Sequence, residues 1–250
     1  MSDVLVLCYH ALSERWPAAL STTPALFERQ LELLVRRGYR GATFIEAVTA
    51  PPAPRTLAVT FDDAYRSVLE LALPIMERLG IPGSVYVPTA FAGAAGPMSW
   101  EGIAQWVGGE HEHELRCMDW DELRALAERG WEIGSHTRSH PRLTRLDDAE
   151  LAGELGGSLE ECAAGLGEPC RSLAYPYGDV DARVMDAARA AGYEAAAALP
   201  DGRLPRPTPL AWPRVGVYRV DDMRRFRLKV SRPLRRLRGS RIWDLVDRAR

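Results

Sequence analysis

Two carboxylates at the end of an apolar run, Asp62 and Asp63 in Leu57-Ala-Val-Thr-Phe-Asp-Asp-Ala-Tyr65, are where this sequence first offers chemistry. A strand that ends in adjacent acids aims charge at one spot, and that arrangement costs stability unless a cation or a proton neutralises it. His136 and His140, in Gly134-Ser-His-Thr-Arg-Ser-His-Pro141, supply further ligands. One carboxylate plus two imidazoles is a common protein ligand set for a catalytic divalent metal, with positions left for water and substrate. The four-residue spacing predicts one turn with both imidazoles on the same side. Thr137 and Ser139 can steady that turn through side-chain to backbone bonds.

Elements must bring these groups together. Short β-rich runs are predicted at 4–9, 39–44, 56–61, 83–88, 131–134, 172–175, 194–198 and 214–217, with helices at 24–37, 65–79, 121–129, 147–165 and 181–191. Thr23 before Pro24 reads as an N-cap with proline at the first helical position. Gly38, Gly80, Gly130 and Gly192 each follow a predicted helix, where a left-handed C-cap favours glycine. Alternation of β and α elements implies parallel strands with helical crossovers, and seven or eight such units can close into a barrel. His10, Asp62 and Asp63, His136 and the Tyr175-Pro-Tyr-Gly178 turn all fall at the C-terminal ends of their strands. In a parallel barrel those ends share one face, so residues distant in sequence converge there.

Three motifs, Thr60-Phe-Asp-Asp-Ala-Tyr65, His136-Thr-Arg-Ser-His140 and Ala174-Tyr-Pro-Tyr-Gly178, together resemble the polysaccharide deacetylase (NodB-like) family of carbohydrate esterases, over residues 3–218. The resemblance implies an α/β fold, a distorted (β/α)7-type barrel in a single domain spanning 1–222. It implies hydrolytic removal of acetyl groups from an N-acetylated sugar, glycan or sugar conjugate with a divalent metal. Zinc suits the ligand set best, while cobalt, nickel and iron also fit. Carried over by position, Asp63, His136 and His140 hold the metal, Asp62 is the general base and the Tyr177 N–H helps hold the oxyanion. Tyr177 also stands as a substrate contact.

The chain departs from the family pattern twice. No histidine follows His140 to serve as the late general acid. His10, in Leu7-Cys-Tyr-His-Ala11, resembles the N-terminal Tyr-His element of the poly-N-acetylglucosamine deacetylases, whose motif order is permuted, and takes that role. His111 and His113 read as solvated residues of a polar loop. Ala174 stands where the family often has an arginine paired with the base, and Arg214 is the replacement that could reach Asp62. Trp212 is a candidate to stack on a sugar ring, with core packing as the alternative; Trp120 and Trp131 read as core. The glycine-rich stretch 90–118, with Trp100 and Trp106, is expected to cover one end of the barrel and to select the substrate. A deformylase, cyclic amidase or O-acetyl esterase would use the same site. A non-catalytic carbohydrate-binding protein would gain nothing from a base, an acid and a metal together.

Composition bounds the rest. The 250 residues are 46% hydrophobic and 26% charged with net charge −2, which points away from nucleic acid. Lys229 is the sole lysine beside many arginines. Cys8, Cys117, Cys162 and Cys170 have no metal or redox spacing and read as structural, with a Cys162–Cys170 disulfide as an option. The start, Met-Ser-Asp followed by Val4-Leu-Val-Leu-Cys-Tyr9, has no basic region or cleavage site of a leader peptide, so the expected location is cytoplasmic. Residues 223–250 are strongly basic, with Phe226, Leu228, Val230, Leu234, Leu237, Ile242, Trp243, Leu245 and Val246 interleaved. Such a segment can lie against an anionic membrane surface, bind a phosphorylated or lipid-linked substrate, or dock on the barrel with its charges in solvent.

Overall fold

The computed structural model describes residues 3–51, 54–200 and 207–238. Seven parallel staves form the barrel. They are β1 (Val4–Tyr9), β2 (Thr56–Phe61), β3 (Gly83–Val87), β4 (Glu132–Ser135), β5 (Ser172–Ala174), β6 (Ala195–Ala198) and β7, a split strand of Trp212–Pro213 and Val215–Gly216. The order around the sheet is β6-β5-β4-β3-β2-β1, and β7 closes it. Its first half pairs with β6 and its second half with β1, so the seam of the barrel runs through Arg214. The Arg214 N–H donates to Ala198 O on one side, and the Val217 N–H donates to Cys8 O on the other. This is the distorted seven-stave barrel, in one domain, that the resemblance implied.

The helices are α1 (Pro24–Arg36), α2 (Phe44–Thr49), α3 (Leu73–Leu79), α4 (Trp120–Ala127), α5 (Asp148–Leu166), α6 (Ala182–Ala191), α7 (Met223–Lys229) and α8 (Arg232–Arg238). Thr23 accepts from the Leu26 N–H as the N-cap of α1, and Gly80 and Gly192 end α3 and α6 in left-handed conformations. Two expectations fail for local reasons. The strand at 39–44 shrinks to Arg40–Gly41, because Thr43 and Glu46 form a capping box that starts α2 at Phe44. The helix at 65–79 begins as a π turn, Val68–Ala72. Pro74 has no N–H to offer the Glu70 carbonyl, and the turn before it widens.

Strand alternation divides the core. Outward residues such as Leu5, Leu7, Val59, Val85 and Leu173 pack under the helices. Inward residues Val6, Ala58, Tyr86, Ala174, Ala195 and Ala197 form a second cluster with Phe44, Ile45 and Ala47 of α2, which plugs the N-terminal end. Trp212 packs into that cluster together with Val4, Ala42 and Val48. It therefore belongs to the floor and is not brought to the catalytic face: it sits two residues before Arg214, one inward position deeper in the barrel. Beside the plug the carboxylate of Glu132, inside the barrel, accepts from the Ile45 N–H (2.8 Å), Ser84 Oγ (2.9 Å) and Ser172 Oγ. Burial raises its carboxyl above the ordinary range, opposed by these donors.

All four cysteines are free and buried, so the Cys162–Cys170 disulfide option is not taken up. Trp131 is core, and Trp120 packs against it from α4. The described part of the basic segment docks on the barrel. Phe226 and Val230 are buried, Lys229 pairs with Asp221 at 2.5 Å, and Arg232 and Arg235 both clamp Asp3. Ile242, Trp243, Leu245 and Val246 lie outside the described residues. No helix among the described residues is long and apolar enough to cross a membrane.

Gly134 is a tight point of the barrel interior. A Cβ there would lie 2.5 Å from Ser172 Oγ and 2.6 Å from the Tyr86 ring, whereas one at Gly153, in α5, meets nothing within 4 Å. Gly134→Ala is expected to destabilise by about 1–3 kcal/mol through overpacking. Gly153→Ala is expected to stabilise by up to about 1 kcal/mol through helix propensity. Denaturant titration of both variants reads the two signs, and a neutral Gly134→Ala would show that the interior has slack.

Candidate active site

The adjacent carboxylates part company within one residue. Asp62 continues the inward alternation of Ala58 and Thr60, while Asp63 turns the chain with a left-handed φ of 68°. Asp62 is buried against Arg214, whose Nη1 and Nη2 donate to Oδ1 and Oδ2 at 2.6 and 2.8 Å. Arg214 Nη1 also donates to Thr60 Oγ1 at 3.0 Å, and the Cys8 thiol lies 3.4 Å from Asp62 Oδ2. Burial alone would raise the Asp62 carboxyl, but the guanidinium outweighs it and holds the acid far below the usual carboxylate range. Asp62 is thus an ionised, oriented carboxylate.

Asp63 faces the histidines instead. Its Oδ1 lies 3.4 Å from the Nε2 of both His136 and His140. That oxygen is buried and accepts no hydrogen bond. The His136 Nδ1 donates to the Ala174 carbonyl at 2.8 Å, which leaves Nε2 facing Asp63. Burial works to lower the pKa of this imidazole, but the buried carboxylates of Asp62 and Asp63 outweigh it and raise it. Burial pushes the His140 imidazole down to about 3, against the pull of Asp63, so this ring is neutral.

The His136–His140 segment is not the helical turn its spacing suggested. It is a bend in which Thr137 and His140 have φ of 66° and 62°. Helix α5 cinches it: Glu154 accepts from the Arg138 and Ser139 N–H groups at 2.8 and 3.0 Å, and Ser158 bonds Ser135 Oγ at 2.8 Å. Five non-glycine residues among those described have positive φ: Asp63, Ala64, Thr137, His140 and Tyr177. All five lie at these strand ends, where neighbouring packing holds backbone strain in place.

The other expected residues arrive from separate staves. His10 follows β1, buried, with a ring nitrogen in the same tight cluster as Asp62 and Cys8. Its Nδ1 has no partner, and its ring stacks on Tyr218 at 6.4 Å. Burial lowers its pKa, opposed by Asp63 and Asp62. Tyr177 sits on the Pro176–Gly178 turn after β5, its ring 4.6 Å from His140 and its outer face under Arg142 at 4.2 Å. His111 pairs with Glu110 at 3.0 Å, and the His113 side chain is 73% exposed, which leaves both in the covering loop and off the site.

Among the described residues, two groups of ligand atoms are close enough to share an ion, Asp63–His136–His140 and Cys8–His10–Asp62. The second is closed to a cation, because Arg214 already occupies both Asp62 oxygens with its own charge. The first has an orphaned carboxylate oxygen and two imidazoles whose Nε2 atoms face it, a donor set that fits a divalent ion.

Sequence reasoning missed Cys8, Glu154 and Trp100. Cys8 was legible in principle, since it alternates inward between Val6 and His10. Glu154 and Trp100 act from a helix and a loop whose approach to the site no local pattern records.

The chain belongs to the polysaccharide deacetylase family, whose profile matches residues 49–196. It is 23% identical over 194 residues to YxkH of Bacillus subtilis, assigned to the polysaccharide deacetylases, covering 76% of this chain and 62% of that one. It is 24% identical over 133 residues to a poly-beta-1,6-N-acetyl-D-glucosamine N-deacetylase of Staphylococcus aureus, covering 50% of this chain and 41% of that one. It therefore spans less than two thirds of either relative's length. The Streptococcus pyogenes deacetylase PplD, solved with acetate, superposes with a TM-score of 0.74 at 18% identity, over 92% of this chain and all of that one.

Removing one partner of the buried Arg214–Asp62 pair leaves an uncompensated charge. Arg214→Leu is expected to lose about 3–5 kcal/mol in a urea titration. Arg214→Leu with Asp62→Leu is expected to regain most of it. Equal losses in the single and double variants would mean that the stranded Asp62 charge is not the cause.

Proposed function

We propose that this protein is a metal-dependent hydrolase that removes the acetyl group from an N-acetylated sugar. The observation that carries the reading is the division of the two carboxylates: Asp62 is reserved by Arg214, while Asp63 points an unpartnered oxygen at the Nε2 atoms of two imidazoles. Asp63, His136 and His140 would hold the ion, with zinc first among the candidates. Bound there, a divalent cation lowers the pKa of water to about 7 and polarises the amide carbonyl.

The chain's own residues do the rest. Asp62, ionised and fixed by two hydrogen bonds, takes the proton from the attacking water. The C–N bond of the tetrahedral species then breaks, and the Tyr177 N–H, turned by its left-handed φ of 59°, is the donor assigned to the oxyanion. His10, whose ring nitrogen shares the cluster of Asp62 and Cys8, is the residue assigned to deliver a proton to the departing amine. The named activity of the Staphylococcus aureus relative, together with an acid supplied from the first strand, supports an N-acetylglucosamine polymer as substrate.

Amine release from N-acetylglucosamine oligomers tests the reading. Activity is expected to vanish with a chelator and return with Zn2+. Asp62→Asn is expected to lose at least about 10²–10³-fold in kcat while still binding metal. His140→Ala is expected to lose the metal, and His10→Ala to lose turnover with metal retained. Full activity in Asp62→Asn, or a chelator-resistant enzyme, would overturn the mechanism.

A further inference from the structure

The two histidines facing Asp63 are held in different ways. A metal-ligating imidazole ordinarily donates its second ring nitrogen to a carboxylate, carbonyl or water, which fixes the ring's rotation. His136 follows that rule through Ala174 O at 2.8 Å. His140 does not: its Nδ1 is buried and has no hydrogen-bond partner. Something else must stop the ring from turning about its Cβ–Cγ bond.

Trp100 occupies that place. Its indole lies nearly parallel to the His140 ring, 4.1 Å between centroids and 21° between planes. Tyr177 meets the same imidazole edge-on at 4.6 Å, 65° between planes. His136 adds a third edge contact at 4.8 Å. The indole is itself held: Phe91 packs edge-to-face on it at 5.3 Å, and the Trp100 carbonyl accepts from the Ile103 and Ala104 N–H groups. The next residue latches the loop, as Glu101 pairs with Arg142 Nε at 3.1 Å while the Arg142 guanidinium lies over Tyr177. One linked set of contacts therefore runs from the covering loop to both sides of His140.

We propose that Trp100 is the positioning residue of the metal centre, replacing with a stacked indole the hydrogen bond that His140 lacks. The inference rests on the reading of Asp63, His136 and His140 as ligands. It makes the covering loop part of the centre: displacing the loop frees the ring and weakens the ion. The stack is also chemically selective. An imidazole that gives its lone pair to a cation becomes electron-poor, and an indole face attracts an electron-poor ring more than a neutral one. An aliphatic side chain fills the same space without that attraction.

Zn2+ affinity of the full chain, measured by competition with a chromophoric chelator, tests this, with thermal unfolding in chelator as the fold control. Trp100→Ala is expected to weaken Zn2+ binding about 10–100-fold, the usual cost of losing a residue that orients a ligand. Trp100→Phe is expected to restore most of the affinity, and Trp100→Leu to restore little. If Trp100→Ala fails to fold, the contrast between phenylalanine and leucine decides alone. Wild-type affinity in folded Trp100→Ala, or equal affinity in the phenylalanine and leucine variants, overturns the proposal and leaves the ligand assignment standing. Wild-type affinity in His140→Ala overturns the ligand assignment itself, and the proposal with it.

Discussion

A guanidinium buried at the seam of the barrel is the interaction on which the rest depends. Arg214 is 1% exposed and Asp62 is 3% exposed. Neither charge is tolerable there without the other, since several kcal/mol of hydration are lost per ion. The residue that carries the guanidinium also divides β7 into the half that pairs with β6 and the half that pairs with β1. Closing the sheet and neutralising Asp62 are therefore a single event. A barrel that failed to close would leave Asp62 unpaired, and a missing Arg214 would leave the seam without its strongest contact.

The two ends of the barrel are built differently. At the floor α2 plugs the barrel with Phe44, Ile45 and Ala47, and Glu132 gathers the Ile45 N–H and two serine hydroxyls. The top carries the strain and several orphaned polar atoms. Five left-handed non-glycine residues lie there, together with the unpartnered Asp63 Oδ1, His10 Nδ1 and His140 Nδ1. Strain and unsatisfied groups persist where surrounding packing holds them, and they mark where a ligand supplies the missing contacts. Here that packing comes from α5 through Glu154 and Ser158 and from the covering loop through Trp100.

Much of this was legible before any coordinates. The staves at 4–9, 56–61, 83–88 and 194–198 follow from β-rich runs between glycine-capped helices, and the placement of polar residues at strand ends points to one catalytic face. The errors have local causes. The capping box Thr43–Glu46 starts a helix where alternation suggests a strand, and Pro74 widens a turn where helical periodicity runs on. Trp212 is ambiguous in sequence because an aromatic beside a proline looks the same whether it faces sugar or core. Its inward register and its depth in the barrel send it to the floor.

The sequence by itself determined which groups carry charge, where strands end and therefore which residues can meet. Those properties depend on neighbours a few positions away, through alternation, capping and turn chemistry. The tertiary structure decided how the meeting is arranged. Arg214 finds Asp62 across 152 positions. A left-handed turn gives Asp63 to His136 and His140 instead of leaving it beside its neighbour. Trp100, from a loop with no repeating pattern, comes to rest on His140. None of these contacts has a local signature, because each forms only when barrel closure brings separate staves and loops to one end.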